Sequence, residues 1–432
     1  MHIAVVPYSD PSLGGAFQYS LAVLDALAEK FQHTQDDRYT LIVRSERECR
    51  DFDQFTSRWK LARFPFFTRE RLVDAIKASV GQGWLRQAIK QTAYRLAPAP
   101  GSDPDRIKSN GAGHRFLKRC GVDWVLYTTP NAQSFEAGFP YVSPIFDLQH
   151  RLQPEFPEVS ADGEWDRREY LYRNGTREAM LVLADSEVGK EDILNCYGSY
   201  GITPDRVKVL PYLSPPYLTS EVPPSERQRV RTAYRLPERY LLYPAQLWPH
   251  KNHMRLIQAL GQLKETNEAD AHMVLCGTHG GAIRTNVYRD IMREAERLRV
   301  MERIHYLGYV PNDAMSALYA EAVGLVMPTF FGPTNIPIIE AWQFGCPVLT
   351  SDIRGIREQV RDAGLLVDPR SVEAIAAGIS RLWNDEGLRV DLAERGRHRL
   401  RQYTRQNFCD KLANIIAEAN QRAADLRLKR VA

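Results

Sequence analysis

The chain has 432 residues, 44% apolar and 25% charged, a composition that fits a globular protein with room for two separate cores. Its net charge of +4 is weak over that length and gives no support for a nucleic-acid partner. The six cysteines (Cys49, Cys120, Cys196, Cys276, Cys346 and Cys409) are scattered without a CxxC pair, which argues against a zinc site and reads as reduced thiols of a cytoplasmic protein.

In chain order, apolar runs predict strands over residues 3–6, 39–43, 124–127, 141–146 and 180–184, with helical patterns such as 16–31 and 167–177 between them. The first strand starts at once, with no charged leader and apolar segment ahead of it, so no signal peptide is expected. After it, Gly14 and Gly15 open a helix, where paired glycines either let backbone approach a ligand or simply turn the chain. Residues 60–95 interrupt the rhythm with eight basic residues against two acids. Leu72, Ile76, Val80 and Trp84 fall four apart there, on one helical face that either packs on the core or rests on anionic lipid. Asp147 and His150 follow the fifth strand region, and Asp185-Ser186 is a strand-end turn that also reads as a helix cap.

A Pro- and Ser-rich stretch, 213–226, leads into a second series of strands at 240–244, 273–276, 304–307, 325–328, 347–350 and 365–367. Between them, residues 254–263 carry Leu256, Ile257, Leu260 and Leu263 on one stripe. Two beta-alpha series predict an α/β chain of two doubly wound, Rossmann-like domains, 1–215 and 225–405, facing a central cleft where ligands meet strand ends. The last helix, 406–432, completes the chain. The turn at 243–252 offers Lys251 as a point charge for phosphate and Asn252 as a helix N-cap. Downstream, the strand 325–328 runs into Phe331-Gly332-Pro333-Thr334-Asn335-Ile336-Pro337-Ile338-Ile339-Glu340, then a helix. A strand, a loop with free backbone N–H groups and a helix N-terminus suit phosphate or sugar, and Glu340 in the first helical turn suits a ribose diol.

These two motifs and their spacing resemble retaining glycosyltransferases of the GT-B fold, in the large family that includes sucrose synthases and bacterial mannosyltransferases. The resemblance implies that the terminal helix crosses back onto the N-terminal domain. It places donor binding on Gly14, Gly15, Gln246, Lys251, Thr334, Asn335, Ile336 and Glu340, and catalysis on Asp147, His150 and Lys251. The sequence departs from the pattern at Gln246, commonly Arg; at Gly332, commonly the first of two glutamates; and at Phe146, often His. Asn335 and the 334–336 amides would then take over the sugar.

The implied activity is a retaining hexosyl transfer from a UDP- or GDP-linked sugar to a glycan or lipid-linked acceptor in bacterial surface polysaccharide synthesis. No DxD-type metal motif is read in a strand-end loop, so neither a metal nor any other cofactor is expected, and the nucleotide sugar is substrate. The expected setting is the cytoplasm, with peripheral contact at the inner membrane face through 60–95. Competing readings are a catalytically weak GT-B binding or scaffold subunit, a phosphorylase, an epimerase and, without a GxGxxG, least of all a dehydrogenase.

Overall fold

In the computed structural model the described residues are 1–8, 15–30, 37–44, 52–56, 59–64, 105–213, 218 and 221–431. Gly14 and residues 65–95 of the basic segment lie outside them.

The strands are β1 (His2–Val6), β2 (Arg38–Val43), β3 (Lys60–Arg63), β4 (Trp124–Tyr127), β5 (Tyr141–Pro144), β6 (Leu181–Ala184) and β7 (Val207–Val209) in the first domain. The second domain holds β8 (Leu241–Pro244), β9 (Met273–Cys276), β10 (Ile304–Gly308), β11 (Gly324–Met327), β12 (Val348–Ser351) and β13 (Leu365–Val367). They form a seven-stranded sheet in the order β3-β2-β1-β4-β5-β6-β7 and a six-stranded sheet in the order β10-β9-β8-β11-β12-β13. Each pairing is parallel. The order reverses between β1 and β4 and between β8 and β11, and a crevice opens at such a reversal because successive helices leave on opposite faces.

Central strands are buried along their length, as in Trp124–Tyr127 and Met273–Cys276, because helices cover both faces; this is why they read as continuous apolar runs. Edge strands carry no such signal. β3 is Lys-Leu-Ala-Arg with both cations exposed, so Lys60 and Arg63, read as the start of the basic helical segment, belong to a sheet edge that charge protects from further pairing. The three-residue β7 is too short to announce itself.

The terminal helix, Arg405–Val431, packs Phe408, Leu412, Ile416 and Ala419 into the first domain's core beside the helix Gly15–Lys30. Trp124 Nε1 donates to Asn420 Oδ1 at 2.9 Å, and the Lys208–Glu418 pair at 2.6 Å holds the same helix to β7. Leu412→Ala therefore removes about 2–5 kcal/mol of stability by leaving a cavity in that core, whereas the exposed Leu428→Ala leaves the urea midpoint in place. Equal midpoints for the two variants would show that the helix is not part of the fold's core.

Candidate functional site at the facing strand ends

The loop after β8 and the loop after β11 leave neighbouring strands and are tied to each other. Asn252 has φ 61° and opens the helix His253–Thr266, but its side chain does not cap it as the sequence suggested. Its Nδ2 donates instead to the carbonyls of Pro328 (2.9 Å) and Pro369 (2.7 Å). Phe330 N donates to His250 O at 2.8 Å, and the His250 ring stacks on Phe331 with centroids 3.9 Å apart. Lys251 sits inside this junction, and among the described residues its ammonium has no hydrogen-bond or ion-pair partner. Burial lowers its pKa to about 8. Burial also lowers His250 to about 4, against the pull of Glu158, and His253 to about 3, so Lys251 is the one cation of its turn at neutral pH.

Glu340 lies one turn inside the helix Ile336–Gln343, not in its first turn, because the helix begins at Ile336. It is 7% exposed, and its Oε2 accepts from Tyr319 Oη at 2.5 Å. Asn335 corrects a second expectation: its N–H donates to Gln359 Oε1, its carbonyl accepts from Gln359 Nε2, both at 2.9 Å, and its side chain folds back to Phe331 O. The loop thus spends Asn335 on its own shape. Among the described residues the amides of Thr334 and Ile336 stay unengaged, at the N-terminus of the helix.

The first domain meets this loop directly. A Cβ on Gly15 would stand 3.2 Å from Ile336 Cδ1, so the helix Gly15–Lys30 begins against the helix that begins at Ile336. Glu158 accepts from His250 N (3.0 Å) and Nδ1 (2.6 Å). Glu358, from the second domain, accepts from the amides of Glu187 (3.0 Å) and Val188 (2.8 Å) at the start of the helix Glu187–Tyr197. That helix is capped by Ser186, whose Oγ accepts from Gly189 N, so the capping alternative holds for Ser186. These carboxylates, Glu158 and Glu358, gave no sequence signal, since each acts on a residue of the other domain.

Asp147 and His150 enter different hydrogen-bond networks. Asp147 accepts from Arg168 at 2.8 Å and Gln149 N at 3.1 Å; burial opposes its ionisation, but the Arg168 charge and these bonds outweigh it and hold the carboxyl below its usual range. His150 is fully buried within the first domain, with Nε2 2.9 Å from Glu169 and 3.2 Å from Tyr197 Oη. Enclosed in that network, it is not presented to the cleft, which corrects its assignment as a catalytic residue. Phe146 packs edge-on against Tyr19 at 5.3 Å, filling with an apolar ring the position the family often gives to His.

Asp185, beside Ser186, is 5% exposed, and its Oδ2 has no partner among the described residues. Burial raises it to about 7, although the Thr334 and Ser186 hydroxyls favour the charged form. The folded chain thus keeps a proton that the unfolded chain releases near the ordinary aspartate value of 3.8, and stability falls as pH rises from about 4 to about 7. Asp185→Asn removes that slope, so its free energy of unfolding gains on the wild type's through this window by up to about 1.4 kcal/mol per pH unit, read from urea unfolding at each pH. Parallel pH profiles would place Asp185 in water.

Residues 224–399 match the family described as Glycosyl transferases group 1. The chain is 29% identical to O-antigen chain mannosyltransferase B of Escherichia coli over 63% of its own length and 73% of that protein's. It is 26% identical to a D-inositol 3-phosphate glycosyltransferase of Corynebacterium glutamicum, over 64% and 67% respectively. In fold it is similar to Anabaena HepE, solved with UDP and glucose, at TM-score 0.64 and 18% identity over 96% of this chain and 99% of that one. WaaG, a glycosyltransferase involved in lipopolysaccharide biosynthesis, aligns at TM-score 0.62 and 18% identity over 96% and 99%. With two doubly wound sheets the chain has the GT-B fold, and its second domain carries the group 1 glycosyltransferase signature over residues 224–399.

Proposed function

We propose that the chain transfers a hexosyl group, with retention and without a metal, from a UDP- or GDP-linked sugar to a glycan or lipid-linked acceptor of a bacterial surface polysaccharide. The observation that carries this reading is the junction of the Lys251 turn with the loop ahead of Ile336. A half-buried ammonium without a carboxylate and the unengaged amides of a helix N-terminus together suit a diphosphate. Glu340, steadied by Tyr319, would accept from the ribose hydroxyls, and Gly15 and Asp147 border the cleft from the acceptor side. The polysaccharide setting comes from the relatives, among them the E. coli O-antigen enzyme.

Retention without a covalent intermediate requires the acceptor oxygen to attack the anomeric carbon from the side the diphosphate leaves. The bond to the phosphate oxygen breaks as the new glycosidic bond forms, and the departing phosphate takes the hydroxyl proton. Lys251 and the helix N-terminus stabilise the charge that develops on that phosphate, which is electrostatic stabilisation of a leaving group. Cleft closure excludes water and aligns the acceptor. Metal independence is part of the proposal, and the response of transfer to EDTA tests it. A binding subunit remains the second reading, favoured by Gln246 and Gly332, and would bind nucleotide without turning a donor over.

Membrane contact through 60–95 is part of the proposal; among the described residues no helix is long and apolar enough to cross a membrane. Recovery of wild type, but not of a variant with Arg69, Arg71 and Lys77 changed to Glu, with anionic liposomes supports it, and equal recovery removes it.

A thermal-shift panel of UDP, GDP, ADP and their sugars tests the donor, since a ligand at 100 times its Kd stabilises by about 2.7 kcal/mol. Glu340→Ala should weaken the responding nucleotide by about 1.5–3 kcal/mol, and unchanged affinity in the folded variant takes Glu340 out of the site. Diphosphate affinity should be full below pH 7 and decline as pH rises through about 8, where Lys251 loses its charge, while Lys251→Arg holds affinity to higher pH. Transfer should survive EDTA; loss of activity restored by magnesium or manganese would overturn the metal-independent reading.

A further inference from the structure

Gln246 leaves the donor turn one cation short of the family pattern, and the structure brings a guanidinium to the same place from a different element. Arg284 is in the first turn of the helix Ala282–Arg297, which follows β9. Its Nη1 donates to Gln246 Oε1 at 2.7 Å and to Thr278 Oγ1 at 3.2 Å. The guanidinium lies over the Trp248 ring, 4.7 Å from its centroid, and Trp248 Nε1 donates to the same Gln246 oxygen at 3.0 Å. Arg284, Trp248 and Gln246 are therefore one interlocked unit.

The loops that carry them are pressed together. Gly277 has φ 130°, and a Cβ there would stand 2.4 Å from the Ala245 carbonyl oxygen, so only glycine lets the turn after β9 lie against the turn after β8. Both loops leave the strand ends that face the cleft, with Gln246 five residues before Lys251 in the same turn.

The partners of Arg284 are all neutral. Among the described residues no carboxylate pairs with it, and its Nε is buried without a partner. Elsewhere among the described residues guanidiniums are paired with carboxylates, as in Arg168 with Asp147 or Arg354 with Asp192. A half-buried guanidinium held on uncharged acceptors, with a donor left over, is a site for an anion, because partial desolvation of a cation is costly until an anion offsets it.

We propose that Arg284 is the second phosphate-binding cation of the donor site, taking a phosphate oxygen of the nucleoside diphosphate beside Lys251 in place of the arginine the resembled family carries at 246. The cation has moved from the turn after β8 to the helix after β9, and Gln246 has become the strut that holds it. This rests on the nucleotide-sugar reading above, and goes beyond it by assigning a residue that no motif marks.

Calorimetric titration of the wild-type protein, Arg284→Gln and the double variant Gln246→Arg/Arg284→Gln with uridine, UMP and UDP, and with guanosine, GMP and GDP, tests it. Arg284→Gln should weaken the diphosphate by about tenfold or more, as loss of a charge-assisted hydrogen bond does, and leave the nucleoside within about twofold. The double variant, with its cation at 246, should recover most of the loss. If Arg284→Gln does not fold, Arg284→Met, which covers Trp248 without a charge, is read the same way. Unchanged diphosphate affinity overturns the assignment while the nucleotide-sugar reading stands. An equal loss for nucleoside and diphosphate also overturns it, because Arg284 would then serve the base or the loop. A wild-type protein that binds neither UDP nor GDP overturns the nucleotide-sugar reading and the assignment with it.

Discussion

One side chain holds the cleft's two motifs in register. Asn252 donates to the carbonyls of Pro328 and Pro369, and so joins the turn after β8 to the chain leaving β11 and to the turn after β13. An N-cap role would have satisfied a single amide of its own helix; the left-handed backbone at φ 61° aims the amide across the strand ends instead. Asn is among the residues that adopt this conformation at modest cost, and its two N–H groups serve two carbonyls that would otherwise be buried unpaired. Lys251, Phe330 and the loop to Ile336 take their positions from that bridge.

The charge pattern of the junction follows from burial. Two imidazoles flank Lys251, and both are kept neutral by desolvation, which leaves an ammonium without a neutralising carboxylate. Glu158 is spent on His250 and Glu358 on the amides of the opposite domain, so neither acid pairs with the ammonium. Negative charge is thereby directed to the rims of the cleft, while its floor offers cations and amides. Such preorganisation costs folding stability and is recovered when an anion binds.

The same carboxylates join the domains. Glu358 sits where an anion would sit at the N-terminus of the helix Glu187–Tyr197, and Arg354 beside it pairs with Glu191 and Asp192 of that helix. Glu158 clasps His250 at the other end of the contact. The domains therefore touch through polar, partly exposed pairs and a few aromatic contacts such as Phe156 against Phe331, while each sheet keeps its own apolar core. Interfaces of this kind separate and re-form more readily than cores do.

The sequence by itself determined the two-domain α/β architecture, most central strands and the two loops that meet at the second reversal point. Buried parallel strands must be apolar along their whole length, and Gly, Pro and Asn must punctuate the turns; both constraints are local and leave their mark on composition. It did not reveal β3 or β7, whose edge positions and short spans demand no apolar run. Tertiary structure alone decided that His150 is a core histidine bonded to Glu169, that Asn335 is consumed by Gln359, and that Asn252 bridges rather than caps. It alone brought Arg284 to Gln246, 38 residues away in the chain. A side chain's local pattern sets which element it rides on, but its partner is chosen by where the sheet order places the neighbouring loop, and that information is spread over the whole fold.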